Sequence, residues 1–181
     1  YDSEELLGIV PNDLKKPFDI SEIIMRISDD SDLDEFKPNY GKTLITGFAK
    51  INEISCGIIA NNGVLFSESA QKGTHFIQLC SKRKMPIIFF QNITGFMVGK
   101  QAEHTGIAKN GAKLINAVSN SNGPHLTVII GNSYGAGTYA MSGREFGNSF
   151  TFLWPTAKIA VMGGEVIAGV MSIVRLSLIH I

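Results

Sequence analysis

The sequence has 181 residues, of which 44% are hydrophobic and 18% charged, so it can form one compact domain with a sizeable core. Lys and Arg total 16, as do Asp and Glu, and the zero net charge argues against a nucleic-acid partner. The apolar run at 166–174 is too short to cross a bilayer, so no membrane partner is expected. The chain opens at Tyr1 with no signal peptide, and we expect a piece of a longer protein.

Neither the cysteines nor the histidines form a metal-binding pattern. Cys56 and Cys80 lie in apolar stretches without a CxxC spacing, which predicts buried, reduced thiols. The four histidines are far apart in sequence, so no metal is predicted in this chain.

The first forty residues form a polar lead-in that contains one predicted helix. Asp19 can cap the free amides of this helix, and Glu22 occupies the capping-box position. Four isoleucines then recur at helical spacing and form one apolar stripe: Ile20, Ile23, Ile24 and Ile27.

From residue 41 onward, strands and helices alternate. Two paired strands are predicted at 43–51 and 55–60, around Asn52 and Glu53. Further strands are predicted at 87–90, 126–130, 150–154 and 158–162, with helices ending near Lys84 and Asn120 and others beginning after Gly137 and Gly164. Near-continuous apolar strands between helices indicate an α/β fold, either doubly wound or a stacked spiral of strand–strand–helix units.

Three glycine-containing loops follow strands and open helices, at 94–96, 134–137 and 162–164. The start of a helix offers unpaired main-chain N–H groups, and glycine lets a ligand oxygen approach them. These loops therefore predict a site for an oxyanion or carbonyl oxygen, the alternative being tight strand-to-helix packing.

The second loop also contains a literal G-x-S-x-G motif, Gly131 to Gly135, which is typical of a hydrolase nucleophile elbow. Ser133 would then be the nucleophile of a serine hydrolase. The only later histidine is His180, and the only later acids are Glu145 and Glu165, so the triad is incomplete.

Four runs together resemble the carboxyltransferase (β) subunit of biotin-dependent acyl-CoA carboxylases. They are NNGVLFSESAQKGTHF at 61–76, FQNITGFMVG at 90–99, GNSYGAG at 131–137 and WPTAKIAVMGGE at 154–165. With Asn92 and Thr94 at these positions, the sequence resembles the methylcrotonoyl-CoA and geranyl-CoA branch of this family. It is most similar to the methylcrotonoyl-CoA members.

The resemblance implies a crotonase-like (ClpP/crotonase) α/β fold, a spiral of ββα repeats. It implies a C-terminal-domain fragment with a lead-in at 1–40, a carboxyltransferase core at 41–165, and a truncated or atypical tail at 166–181. The first domain of the family, which holds most of the acyl-CoA site, would be missing, so this fragment alone is expected to be inactive.

The implied activity is carboxyl transfer from carboxybiotin to 3-methylcrotonoyl-CoA, a step of leucine catabolism. In this family the cofactor supplies both CO2 and the base, so the protein needs no Ser/His/Asp set. The resemblance assigns stabilisation of the oxyanion to the Ala136 and Gly137 amides. The implied biotin-binding residues are Gly95, Phe96, Tyr134, Gly135, Ala136 and Gly137.

The implied partners are a biotin-carrying α subunit, other β subunits in a homo-oligomer, and acyl-CoA. The expected location is the mitochondrial matrix in a eukaryote and the cytoplasm otherwise. A non-catalytic module of the same fold that binds acyl-CoA or serves assembly remains an alternative.

Overall fold

A mixed sheet organises the chain, whose computed structural model describes residues 1–13, 16–147 and 149–178. The strands are β1 (Asp34–Glu35), β2 (Leu44–Ile51), β3 (Ile54–Asn61), β4 (Ile87–Ile93), β5 (His125–Tyr134), β6 (Phe150–Leu153) and β7 (Lys158–Ala160). The helices are α1 (Leu6–Ile9), α2 (Ser21–Ile27), α3 (Ser67–Lys82), α4 (Lys100–His104), α5 (Ile107–Ser119), α6 (Ala136–Ala140) and α7 (Gly164–Leu178).

The strand order is β1-β2-β3-β4-β5-β6, with β7 also paired to β5. The first three strands are antiparallel, and β3, β4, β5 and β6 run parallel. β6 lies beside residues 126–129 of β5, and β7 lies beside residues 132–134 of the same strand. Because these parallel strands are joined by helices, the loops that follow them meet at one edge of the sheet.

The β2–β3 hairpin turns at Asn52 and Glu53, as the sequence predicted, and both residues have positive φ. The Asp29 carboxylate accepts hydrogen bonds from both main-chain N–H groups of this turn, at 2.9 and 2.7 Å. The lead-in therefore fixes the turn of the β2–β3 hairpin.

Apolar side chains are buried on both faces of the sheet. On one face α3 and α5 pack over Leu44, Ile59 and Phe89. On the other face Ile20, Ile23 and Ile24 of the lead-in pack with Ile45 and Ile58. Strands covered on both faces are the pattern that the apolar runs predicted.

Two predicted elements differ in extent. A single helix was expected up to about Asn120, but the chain forms α4 and α5, separated at Gly106, whose φ is +80°. β5 was expected to end at Ile130, but it continues to Tyr134 because its last three residues pair with β7.

The C-terminal elements expose apolar side chains, including Phe150, Phe152 and Leu153 on β6 and Val161 after β7. The rings of Phe150 and Phe152 stack with centroids 6.2 Å apart. No described helix is both long and apolar enough to span a membrane.

Gly73 allows α3 to approach its neighbours closely. A Cβ added there would lie 2.9 Å from Leu114 Cδ1 and 2.9 Å from Leu44 Cδ2. We therefore expect Gly73→Val to lower the free energy of unfolding by about 1–3 kcal/mol through overpacking. Gly8→Ala is the control, because a Cβ at Gly8 meets nothing within 4 Å. Equal thermal unfolding midpoints for the two variants would contradict this prediction.

Candidate active site

The three loops predicted from the sequence meet beyond the ends of β4, β5 and β7. A Cβ added at Gly137 would lie 3.4 Å from Gly95 Cα, and one added at Gly163 would lie 3.6 Å from Tyr134 Cε2. The Gly135 N–H donates to the Ala160 carbonyl at 3.3 Å. The structure thus brings Gly95, Tyr134, Gly135 and Gly137 together.

The turn from β5 into α6 depends on Gly135. Its φ of 59° and ψ of −145° lie in a region that L side chains rarely adopt. An added Cβ would also lie 3.2 Å from the Val161 carbonyl oxygen. Glycine here lets the chain turn sharply, so that α6 begins at the sheet edge.

Two main-chain donors lie at the start of α6. Ala136 is exposed, while Gly137 is buried against Ile93, whose Cγ1 would lie 2.7 Å from an added Cβ. The first hydrogen bond of the turn is donated by the Thr138 N–H to the Gly135 carbonyl. Within the described part of the chain, the Ala136 and Gly137 N–H groups donate to no main-chain or side-chain acceptor. Such unpaired donors favour an oxygen with partial negative charge.

The loop after β4 is held by Leu65. The Leu65 N–H donates to the Gly95 carbonyl at 3.2 Å, and the Met97 N–H donates to the Leu65 carbonyl at 2.8 Å. Gly95 has a φ of +134° and open space where a Cβ would stand. The Phe96 ring instead faces α5, where its Cε1 would lie 3.3 Å from a Cβ added at Gly111. Of this loop, the structure leaves Gly95 open and packs the Phe96 ring inward.

Ser133 does not stand on a nucleophile elbow. It lies inside β5, is fully buried, and donates a hydrogen bond to Gln91 Oε1 at 2.6 Å. Thr138 Oγ1 lies 2.9 Å from the same hydroxyl. A buried hydroxyl whose proton is held by an amide oxygen cannot attack a substrate, so the serine hydrolase hypothesis is wrong. His180, the one later histidine, lies outside the described residues.

A ladder of asparagine side chains, not predicted from the sequence, spans the same edge of the sheet. The Asn61 side chain bonds the main chain of Asn92 in both directions, and Asn92 Oδ1 accepts the Asn132 N–H at 3.1 Å. The ladder crosses the point where the β4–β5 register shifts, between Gln91 and Ile93. Side-chain amides thus replace strand pairing there. The only signal in the sequence was an asparagine near the end of each strand.

A cavity of about 200 Å³ opens beside this ladder. Its walls include Lys16 and Phe18 of the lead-in, Asn62, Thr94 and Asn132. None of the six predicted biotin-binding residues lines it.

Burial favours the neutral form of two thiols and one imidazole in the core. Burial raises the pKa of Cys56 and of Cys80 to about 11, and both thiols are free, as predicted. Burial lowers the pKa of His125, whose Nδ1 lies 3.0 Å from Ser142 Oγ. Among the described residues no group of three or more His, Cys, Asp or Glu side chains could hold a metal ion.

The sequence profile of the Carboxyl transferase domain matches residues 1–178, and the chain belongs to this family. It is 59% identical over 95% of its length to a probable mitochondrial methylcrotonoyl-CoA carboxylase β chain of Drosophila melanogaster. It is 55% identical over 97% of its length to a biotin-dependent 3-methylcrotonyl-coenzyme A carboxylase β1 subunit of Mycobacterium tuberculosis. The chain spans 30% and 33% of these two relatives.

Solved structures agree with this assignment. The β subunit of Pseudomonas aeruginosa geranyl-CoA carboxylase superposes with a TM-score of 0.93 at 46% identity, covering 97% of this chain and 34% of that one. One chain of the transcarboxylase 12S crystal structure superposes with a TM-score of 0.91 at 36% identity, covering 96% of this chain and 35% of that one. The predicted crotonase-like α/β fold is thereby confirmed.

The buried His125 makes stability depend on pH. The unfolded side chain takes a proton near pH 6.5, whereas the folded one does so only at lower pH. Acidification therefore favours the unfolded chain, and stability falls as the pH drops below about 6.5. The thermal unfolding midpoint of the unsubstituted protein should therefore be lower at pH 5.5 than at pH 7.5, and we expect this decrease to be smaller in His125→Gln. His104→Gln, at an exposed position of α4, is the control and should keep the original loss.

Proposed function

We propose that the chain is part of a carboxyltransferase that moves a carboxyl group from carboxybiotin to 3-methylcrotonoyl-CoA in leucine catabolism. Membership of the Carboxyl transferase family and two relatives named for 3-methylcrotonoyl-CoA carboxylation support this proposal. Because the chain spans about 30% of those relatives, the activity would belong to a longer subunit that contains it.

The observation that carries the proposal is the pair of unpaired N–H groups at Ala136 and Gly137. A ureido or thioester oxygen gains negative charge during carboxyl transfer, and preorganised main-chain donors stabilise such charge at little reorganisation cost. Ser133 is buried and the Cys56 thiol is neutral, so neither can act as a nucleophile. The main-chain donors are therefore the groups of this loop to which we assign the chemistry.

The residues of this edge suit a ureido ring. The ring presents a carbonyl oxygen to donors and needs an approach free of side chains, and Gly95, where a Cβ would meet nothing within 4 Å, leaves that approach open. Carboxylated biotin, when bound, supplies CO2 and a basic nitrogen. Ala136 and Gly137 would hold its carbonyl oxygen. Gly95, Phe96, Tyr134 and Gly135 would shape the surrounding pocket, Phe96 through its main chain.

The remaining assignments follow from the family. Biotin would be carried by an α subunit, and acyl-CoA and further β subunits would complete the assembly. Residues 1–40 would form the lead-in, 41–165 the carboxyltransferase core and 166–181 an atypical tail. In a eukaryote the location would be the mitochondrial matrix, and in a bacterium the cytoplasm; three eukaryotic relatives are named as mitochondrial, which supports the organelle.

A geranyl-CoA substrate is the second candidate, favoured by the high structural similarity to the geranyl-CoA carboxylase β subunit. The two substrates are distinguished by comparing kcat/KM for 3-methylcrotonoyl-CoA and geranyl-CoA in the holoenzyme. Binding of both thioesters without any carboxylation would support the non-catalytic module instead.

Ala136→Pro tests the main-chain donor directly, because proline lacks the N–H yet fits the first position of a helix. We expect kcat for carboxyl transfer by the holoenzyme to fall about 10²- to 10³-fold, as when one oxyanion donor is lost. Gly137 is less suitable for this test, since any side chain there collides with Ile93.

Lys100→Pro is the matched control. Lys100 also opens a helix after a glycine of positive φ, Gly99, and it is exposed. We expect the Lys100 variant to keep its rate within about threefold. Equal rates for Ala136→Pro and the unsubstituted enzyme would exclude a catalytic role for the Ala136 amide.

A further inference from the structure

We propose that Thr138, Ser133 and Gln91 are positioning residues, which hold the start of α6 so that the Ala136 and Gly137 amides point at the bound oxygen. This inference rests on the proposed function and adds side chains that do not touch the substrate. The three side chains come from α6, β5 and β4, so they tie the helix to the sheet.

The hydrogen bonds among these residues run in one direction. The Ser133 hydroxyl donates to Gln91 Oε1, so its oxygen accepts the proton of Thr138 Oγ1. Gln91 Nε2 donates to the Met141 carbonyl at 2.7 Å. The chain of donors thus starts inside α6, passes through two strands and returns to the residue that follows the helix.

Burial makes each hydrogen bond of this network costly to lose. Ser133 and Gln91 are fully inaccessible, and Thr138 is 8% exposed. Removing one partner would leave a buried polar group unsatisfied, which is costlier than losing an exposed hydrogen bond. The network therefore has one favourable arrangement. That arrangement fixes the position and orientation of α6 relative to the sheet.

The helix needs this support because it has five residues. A helix of little more than one turn is not stable by itself. Gln91 holds its end through Met141, and the Thr127 hydroxyl donates to the Ser142 carbonyl at 2.7 Å. Among the side chains of this network, Thr138 is the attachment nearest the two free amides, one residue from Gly137 and two from Ala136.

The first experiment compares Thr138→Val with Thr138→Ser in the holoenzyme. Valine keeps the shape and removes the hydroxyl, whereas serine keeps the hydroxyl and removes a methyl group. We expect Thr138→Val to lower kcat about 10- to 100-fold with an unchanged KM for acyl-CoA, because displacement of donors impairs the reacting geometry. Thr138→Ser should recover most of the rate.

A second readout is independent of biotin. Hydrogen exchange of residues 134–142 is measured in the full-length carboxyltransferase subunit without biotin. The Met141 N–H donates to the Gly137 carbonyl, so its exchange rate reports how often this hydrogen bond of α6 opens. We expect its exchange to accelerate at least tenfold in Thr138→Val and to stay near the original value in Thr138→Ser.

Gln91→Glu supplies a pH signature. A carboxylate can still accept from Ser133 but cannot donate to the Met141 carbonyl, while the protonated acid can do both. We expect the rate of this variant, relative to the unsubstituted enzyme, to rise as the pH falls from 8 to 6. A ratio that falls as the pH drops would contradict the assigned direction of the Gln91 bond.

Ile77→Val controls for general loss of stability. Ile77 is fully buried in α3, outside this network, and its truncation should lower the thermal midpoint while kcat stays within about twofold. Thr138→Val acting like Ile77→Val, with normal kcat and normal Met141 exchange, would overturn the inference. If the unsubstituted holoenzyme transferred no carboxyl group, the proposed function would fail, and the exchange measurement would still test the positioning.

Discussion

The parallel pairing of β4 with β5 is the constraint on which the candidate site depends. From Ile87 beside His125 to Gln91 beside Ile129 the two strands keep one register, and beyond Gln91 that register shifts. The Asn92 side chain bridges the shift by accepting the Asn132 N–H. Beyond this irregularity β5 pairs with β7 up to Tyr134, and the turn at Gly135 then leads into the start of α6.

Much of this architecture could be predicted from the sequence, because apolar periodicity reports burial directly. The β2–β3 hairpin around Asn52 and the helix after Asp19 followed from such local signals. The true length of β5 did not, because residues 131–134 read as a loop and became a strand through pairing with β7, far along the chain. Propensity is a weak guide where a distant strand supplies the hydrogen bonds.

The site divides in the same way. The meeting of Gly95, Gly135 and Gly137 was predictable, since loops after parallel strands share one edge of the sheet. The inward packing of Phe96 on Gly111 and the bonding of Ser133 to Gln91 were not, because each depends on a side chain's direction within the assembled core. The G-x-S-x-G motif was misleading for this reason: its serine points into the protein rather than toward a ligand.

The free N–H groups that follow Gly135 affect which substitutions this site can tolerate during evolution. Main-chain donors belong to every residue except proline, so alanine scanning of residues 134–138 would be blind to the donors themselves. Selection would act instead on the glycine that supplies the torsion angles of the turn and on the buried hydrogen bonds of Thr138, Ser133 and Gln91. Substitutions that look chemically drastic could be silent there, while a single added methyl group at Gly135 would be severe.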